Sequence, residues 1–180
     1  LSEDHYYYIR NVWFGRYAQY NASDNSITPV NGKSEDDTYL WRIEKNADGT
    51  VFIYSKKTQT AAYLASNAVD QKVKVGKDYA WTLEERTLDG KSGICIIDGS
   101  KKYSWYTNPD AWTYILMKPF WGACTWEFQK SGVEVPTGIG DIEETENGKR
   151  ETENCYDLSG RQVRKAAKGV YITNGQIVVK

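Results

Sequence analysis

The chain has 180 residues, 40% hydrophobic and 14% aromatic, with a net charge of -1 and a pI near 6.0. That balance gives no electrostatic reason to expect nucleic acid, and no apolar run approaches the roughly 20 residues of a membrane span. Leucine is scarce while Tyr (14) and Trp (7) are abundant, a mix that suits pleated, half-buried strands better than helices.

With Leu1 where an initiator Met would stand and no basic-then-apolar leader, the chain reads as a piece of a longer protein. β-Branched and aromatic runs then follow one another with turn signals between them. In the first stretch they predict strands over 7–11, 16–21, 26–30 and 40–44. The same order returns over 51–55, 62–67, 71–75 and 80–84, and again over 94–98, 102–108, 113–117 and 125–129. Each set closes on a similar phrase: Leu40-Trp41-Arg42-Ile43-Glu44, Ala80-Trp81-Thr82-Leu83-Glu84 and Thr125-Trp126-Glu127-Phe128-Gln129. Asp48-Gly49, Asp89-Gly90 and Asp98-Gly99 mark turns, and no stretch carries a 3.6-residue apolar period. One such unit cannot bury its apolar face alone, so three must associate around a common core. The expectation is an all-β fold of three four-stranded repeats, about 4–46, 47–88 and 89–130, with pseudo-threefold symmetry: a β-trefoil.

Repeats of this length ending in an x-Trp-x-apolar strand resemble the ricin-type β-trefoil, whose repeats end Gln-x-Trp. Here Tyr39, Tyr79 and Cys124 stand at the Gln position. The resemblance implies a scaffold with a tendency to bind glycans. It also implies a sugar-binding Asp near the start of each second strand, but the positions aligned with it are Gln19, Ala65 and Trp105. The fold and the broad tendency carry over, and the galactose-type site does not. Asp24 and Asn25 could add polar contacts but read more simply as turn residues.

Residues 131–154 contain no aromatic and hold seven acids, Glu134, Asp141, Glu143, Glu144, Glu146, Glu151 and Glu153, against Lys149 and Arg150. Such a stretch has too little apolar surface to offset its ordering entropy and reads as an acidic flexible linker. Residues 155–180 turn apolar and basic again. Tyr156-Asp157-Leu158-Ser159-Gly160-Arg161 predicts strand, turn, strand; Val170–Thr173 and Gln176–Val179 predict a hairpin around Asn174-Gly175. This tail is similar to the C-terminal sorting segments of exported Bacteroidetes proteins. The resemblance implies a secreted or cell-surface location on a bacterium.

Nothing points to catalysis. His5 is the single histidine and has no second ligand for zinc, and no nucleophile elbow, metalloprotease helix or phosphate loop occurs. The chain is read as no enzyme, with no cofactor and no metal. Cys95 and Cys124 both fall in the third repeat, leaving open a disulfide or two small buried thiols.

The indoles carry the functional expectation. Trp41, Trp81 and Trp126 recur with the repeat and belong to the core. Trp13, Trp105, Trp112 and Trp121 have no counterpart in the other repeats. A flat aromatic face beside amide or carboxylate groups is what a sugar ring needs. The predicted ligand set is therefore Trp105, Tyr106, Asn108, Asp110, Trp112 and Trp121. The function expected is a non-catalytic carbohydrate-binding or attachment module of a larger secreted or surface protein, a glycan-degrading enzyme foremost. Its partners would be an oligo- or polysaccharide and the parent protein's catalytic domain. The alternative is a protein-interaction or packing module, protease-inhibitor-like trefoils included.

Overall fold

The computed structural model describes residues 1–108 and 114–136 and, as strands alone, 155–156, 162–163, 170–173 and 176–179. The chain divides into two units, Leu1–Gly140 and Asp141–Lys180.

Six strands of the first unit close on themselves. They are β1 (His5–Asn11), β4 (Trp41–Lys45), β5 (Val51–Ser55), β8 (Thr82–Leu88), β9 (Lys91–Ile97) and β12 (Trp126–Glu134). β4 pairs with β5, β8 with β9 and β12 with β1 as three hairpin-like arms. The arms join where Tyr7 meets Trp41, where Trp81 bridges to Val51 and where Trp126 meets Ile94. Closure leaves a barrel without open edges at its waist, which answers the tendency of unpaired strands to aggregate. Leu88 pairs with Lys91 across Asp89-Gly90, both at positive φ (48° and 78°), so the Asp-Gly signal becomes a tight two-residue turn.

Three further hairpins cap one end: β2 (Tyr17–Asn21) with β3 (Ser26–Val30), β6 (Ala62–Tyr63) with β7 (Lys74–Val75), and β10 (Ser104–Tyr106) with β11 (Leu116–Lys118). At the centre of this cap the pseudo-threefold axis is written in backbone hydrogen bonds. The Ile27 N–H donates to the Val73 carbonyl (3.0 Å), Val73 to Ile115 (3.0 Å), and Ile115 back to Ile27 (2.7 Å). All three side chains are fully buried. Two residues on, Val75 donates to Asn25 and Met117 to Gln71. The equivalent position in the first repeat is Pro29, which has no N–H to give.

The recurring indoles are all fully buried in one core with Ile9, Ile43, Ile53 and Ile96. Each donates its ring N–H to a second-strand carbonyl: Trp41 to Ala18 (3.0 Å), Trp81 to Ala62 (2.9 Å) and Trp126 to Trp105 (2.9 Å). Leaving a buried N–H unsatisfied costs about 1–3 kcal/mol, and each copy supplies the same acceptor to avoid that cost. The fold is the β-trefoil expected from the repeat.

The shared acceptors also correct the alignment of the second strands. Ala18, Ala62 and Trp105 are equivalent, which makes Gln19, Tyr63 and Tyr106 the next equivalent set. The positions aligned by sequence, Gln19, Ala65 and Trp105, match only in the first repeat. The indole hydrogen bond sets the register. No Asp stands at Gln19, Tyr63 or Tyr106 either.

β12 runs beyond the expected end at Lys130, and the Val135 N–H donates to the Asp4 carbonyl (2.9 Å), so the first unit closes on its own N-terminal strand. The predicted acidic linker lies, over 137–154, outside the described residues. In the second unit a four-stranded antiparallel sheet runs β14 (Gln162–Val163), β13 (Cys155–Tyr156), β15 (Val170–Thr173), β16 (Gln176–Val179). Thr173 pairs with Gln176, leaving the two residues Asn174-Gly175 as the connection.

Candidate functional site: an aromatic surface on the third repeat

One buried asparagine organises the site. Asn11, at the end of β1, is fully buried, and its pseudo-symmetric equivalents are Ser55 and Asp98, also fully buried. In each copy this residue donates its N–H to the carbonyl five residues on: Asn11 to Arg16, Ser55 to Thr60 and Asp98 to Tyr103. The side chains then differ. Asp98 accepts from its own turn, at Ser100, Lys102 and Tyr103, and Ser55 Oγ has no partner among the described residues. Asn11 reaches in two directions. Its Oδ1 accepts the N–H groups of Trp13 (3.1 Å) and Phe14 (2.9 Å), and its Nδ2 donates to the carbonyls of Ala123 (2.9 Å) and Thr125 (3.1 Å). A single amide thus ties the β1–β2 turn to the loop that leads into β12.

That loop is shaped by Gly122, the first residue of a single 3-10 turn, Gly122–Cys124. Its N–H is held by Asp89 Oδ2 at 2.7 Å. A Cβ on Gly122 would lie 2.5 Å from Trp13 Cζ3 and 2.6 Å from Cε3, so the Trp13 ring lies directly on the glycine. Trp121, immediately before it, packs edge-on against Tyr106 (centroids 5.9 Å, interplanar angle 90°). Both indoles still face solvent, Trp13 at 40% and Trp121 at 53% relative exposure. Beneath them a small second core joins Cys95, Ile97, Tyr106, Ala123 and Cys124 with the half-buried Phe14 and Phe120. The Arg86 guanidinium sits 3.9 Å above the Phe120 ring, held there by Glu84 at 2.9 Å. Arg16 Nη1 donates to the Asn108 carbonyl (3.2 Å), fixing the other margin. Burial raises the Tyr106 hydroxyl above its ordinary range, so it stays a neutral donor.

Cys95 and Cys124 are free, buried thiols. Desolvation pushes the Cys124 thiol up to about 12, and the Cys95 thiol up as well. Of the two possibilities left by the sequence, the structure has the pair of packed thiols.

The predicted ligand set divides. Tyr106 and Trp121 come together on this surface, and Asn108, two residues beyond Tyr106, meets Arg16 through its carbonyl. Trp105 does not: it is fully buried, with its ring edge-on to Trp81 (5.4 Å, 89°) and Trp126 (6.2 Å, 89°). It occupies the core at the position where the other repeats carry the small Ala18 and Ala62, so this unmatched indole is closed to solvent and packs against the recurring ones. Asp110 and Trp112 lie outside the described residues. Trp13, one of the unmatched indoles, belongs with Trp121. The chain reversal between them is invisible in sequence, because residues 13 and 121 are brought together only when β1 pairs with β12. The Asn11 hub had a faint signal: each opening strand ends in a small polar residue, Asn11, Ser55 or Asp98. Asp24 and Asn25 form the β2–β3 turn, Asp24 accepting from Ser26 and Asn25 sitting at φ 55°. Among the described residues no group of His, Cys, Asp or Glu is placed to hold a metal ion, and no helix is long and apolar enough to cross a membrane.

No protein family and no curated protein matches this sequence. Solved structures match the fold. The Rhizoctonia solani agglutinin is 17% identical, with a TM-score of 0.61 over 73% of this chain and 98% of that one. The Macrolepiota procera ricin B-like lectin, in complex with lactose, is 16% identical, with a TM-score of 0.63 over 73% of this chain and 99% of that one. A GlcNAcα1-4Gal-releasing endo-β-galactosidase from Clostridium perfringens is 14% identical, with a TM-score of 0.57 over 71% of this chain but 32% of that one. At these identities the likeness is one of fold: the neighbours include lectin trefoils, and a trefoil of this kind occupies about a third of a larger glycosidase chain.

Proposed function

We propose that the chain is a non-catalytic carbohydrate-binding or attachment module of a larger protein, and that its sugar-facing surface is built by Trp13 and Trp121 with Tyr106 and Asn108. Asp110 and Trp112, which follow Asn108 in sequence, complete the proposed ligand set. The observation that carries the reading is the pair of half-exposed indoles, held by Asn11 and Asp89 on a rigid loop. Leaving two indoles in water forfeits burial that the core would otherwise gain, and fixing them in advance removes the ordering cost from ligand binding. Aromatic faces take the C–H side of a pyranose, and the amide of Asn108 and the carboxylate of Asp89 offer hydroxyl partners. The trefoil neighbour that binds lactose and the glycosidase with a trefoil-sized share support the reading by analogy of fold. The parent protein is then a glycan-degrading enzyme, which the module holds at its substrate by raising local concentration. The resemblance of residues 155–180 to sorting segments supports a secreted or cell-surface location on a bacterium as part of the same proposal.

A glycan array probed with wild type, Trp121→Ala and Trp13→Ala tests the proposal. Binding is expected for wild type and reduced in both variants while their circular dichroism is unchanged. Absence of any glycan signal, with the same surface instead capturing a neighbouring domain of the parent protein, would establish the packing module in its place.

A further inference from the structure

The Trp13–Trp121 surface lies where the loop closing one repeat meets the turn opening the next, and the threefold fold makes that junction in each copy. The backbone fixes the correspondence. A single 3-10 turn precedes the recurring indole in the first repeat, Asp37–Tyr39, as it does in the third, Gly122–Cys124. The residues before the two turns are therefore equivalent: Asp36 and Trp121. Across the junction, the Val12 N–H donates to the Thr125 carbonyl and the Lys56 N–H to the Leu40 carbonyl, both at 2.9 Å. Thr125 and Leu40 follow the two turns, so Trp13 is equivalent to Lys57.

The same positions carry opposite chemistry. Asp36 turns back on its own turn and accepts the Thr38 N–H at 2.8 Å, whereas the Trp121 side chain caps nothing. Hydrogen bonds from Thr38 hold the Asp36 carboxyl below its ordinary range, and the nearby Lys57 charge adds to that. Where Tyr106 supports Trp121, the first repeat has Gln19, whose amide donates to Thr38 Oγ1 at 3.1 Å. In the second repeat the loop runs from Val75 to Trp81 and, among the described residues, forms no 3-10 turn. Gly76 lies against Tyr63, the counterpart of Tyr106, its Cβ position 3.5 Å from the ring. The Lys77 ammonium covers that ring, 4.9 Å from its centroid. Ser100, the counterpart of Trp13, donates its hydroxyl to Asp98. Asp36 and Lys57 are as exposed to solvent as the two indoles they match, so the fold itself does not require an aromatic side chain at either position.

We infer that the chain has a single glycan-binding junction, between its third and first repeats, and engages sugar as a monovalent tether; this rests on the glycan reading above. A sugar ring needs an open aromatic face. A carboxylate beside an ammonium offers none, and the Tyr63 ring is covered by Lys77. One junction per chain anchors a parent protein to a polysaccharide by raising local concentration and cross-links nothing by itself.

The full chain is titrated with lactose, cellohexaose, xylohexaose and chitotetraose while amide and indole N–H shifts are followed. Saturable shifts are expected at Trp13, Trp121 and Gly122, with Thr38, Lys57, Tyr63 and Ser100 unmoved. Installing the first repeat's pair in the third, Trp121→Asp with Trp13→Lys, should abolish binding and leave the fold intact, because the equivalent junction already carries that pair. The reverse exchange, Asp36→Trp with Lys57→Trp, should double the sites per chain and bring shifts to the first junction as well. Saturable shifts in wild type at any junction other than the third-to-first, or binding that survives Trp121→Asp with Trp13→Lys, would overturn the inference. A folded Asp36→Trp, Lys57→Trp chain that still binds at one junction would overturn the part given to that charged pair. Silence toward all four sugars is a different failure, since it would sink the glycan reading itself and not the count of sites.

Discussion

Trp105→Ala, compared with Trp121→Ala, separates an indole that holds the fold from one proposed to meet a ligand. The Trp105 side chain is fully buried between Trp81 and Trp126. Burying about 200 Å² of indole contributes about 5 kcal/mol at about 25 cal/mol per Å². Against this, the Trp105 ring N–H is buried without a partner, and deleting it recovers about 1–3 kcal/mol of desolvation. The net loss is about 2–4 kcal/mol, at the low end of Trp-to-Ala truncations. For a trefoil of this size that lowers the melting temperature by about 10 °C. Trp105→Phe keeps most of the apolar contact and drops the unpaired N–H, so it should cost less than about 1.5 kcal/mol. Trp121→Ala, exposed and touching Tyr106 by its edge, should cost less than about 1 kcal/mol. Urea unfolding followed by near-ultraviolet circular dichroism reads all three, and glycan binding per folded molecule is measured alongside. The reasoning fails if Trp105→Ala unfolds within about 0.5 kcal/mol of wild type while losing glycan binding, because the indole would then be a ligand-binding group.

Further outcomes follow from the same contacts. Trp41→Phe, Trp81→Phe and Trp126→Phe each orphan one buried carbonyl and should destabilise by about 1–3 kcal/mol, with the three values close together because the copies are equivalent; a large spread in urea midpoints would contradict that equivalence. Asn11→Leu leaves the N–H groups of Trp13 and Phe14 and the Ala123 carbonyl without their Asn11 partner, while the Thr125 carbonyl keeps the Val12 N–H, a loss of about 2–4 kcal/mol by urea denaturation; a near-neutral Asn11→Leu would remove it as the hub. Gly122→Ala forces Trp13 off its seat, since the new Cβ would lie 2.5 Å from the ring, and should weaken glycan binding more than it lowers the melting temperature; unchanged binding would exclude Trp13 from the surface. The Cys124 thiol, pushed up from 9.0 to about 12 by burial, keeps its proton in the fold after the unfolded chain has lost it. Its contribution is complete below pH 9 and declines as pH rises toward about 12, by about 1.4 kcal/mol per unit in that window. Wild type should therefore lose more stability than Cys124→Ala between about pH 8 and pH 10.5; parallel losses would refute the burial.

The architecture was legible in the sequence because a pseudo-symmetric fold repeats its requirements. Each copy must bury one indole and supply one turn of small polar residues, and Trp41, Trp81 and Trp126 recur for that reason. The Asp89-Gly90 turn and the pairing of Thr173 with Gln176 were legible because backbone φ is a local property. What departs from symmetry was not legible. An unmatched indole serves either to fill volume or to meet a ligand, and sequence carries no sign of which. Trp105 packs between Trp81 and Trp126 at the position where the other repeats carry Ala18 and Ala62, while Trp121 stays in water. Side-chain volume is balanced across the whole core and not along the chain, so only the packed structure places Trp105 inside and Trp121 at the surface. The joining of Trp13 to Trp121 likewise arises from a strand pairing over more than a hundred residues. Pairing at such separations is decided when the barrel closes, which no window of local sequence can report.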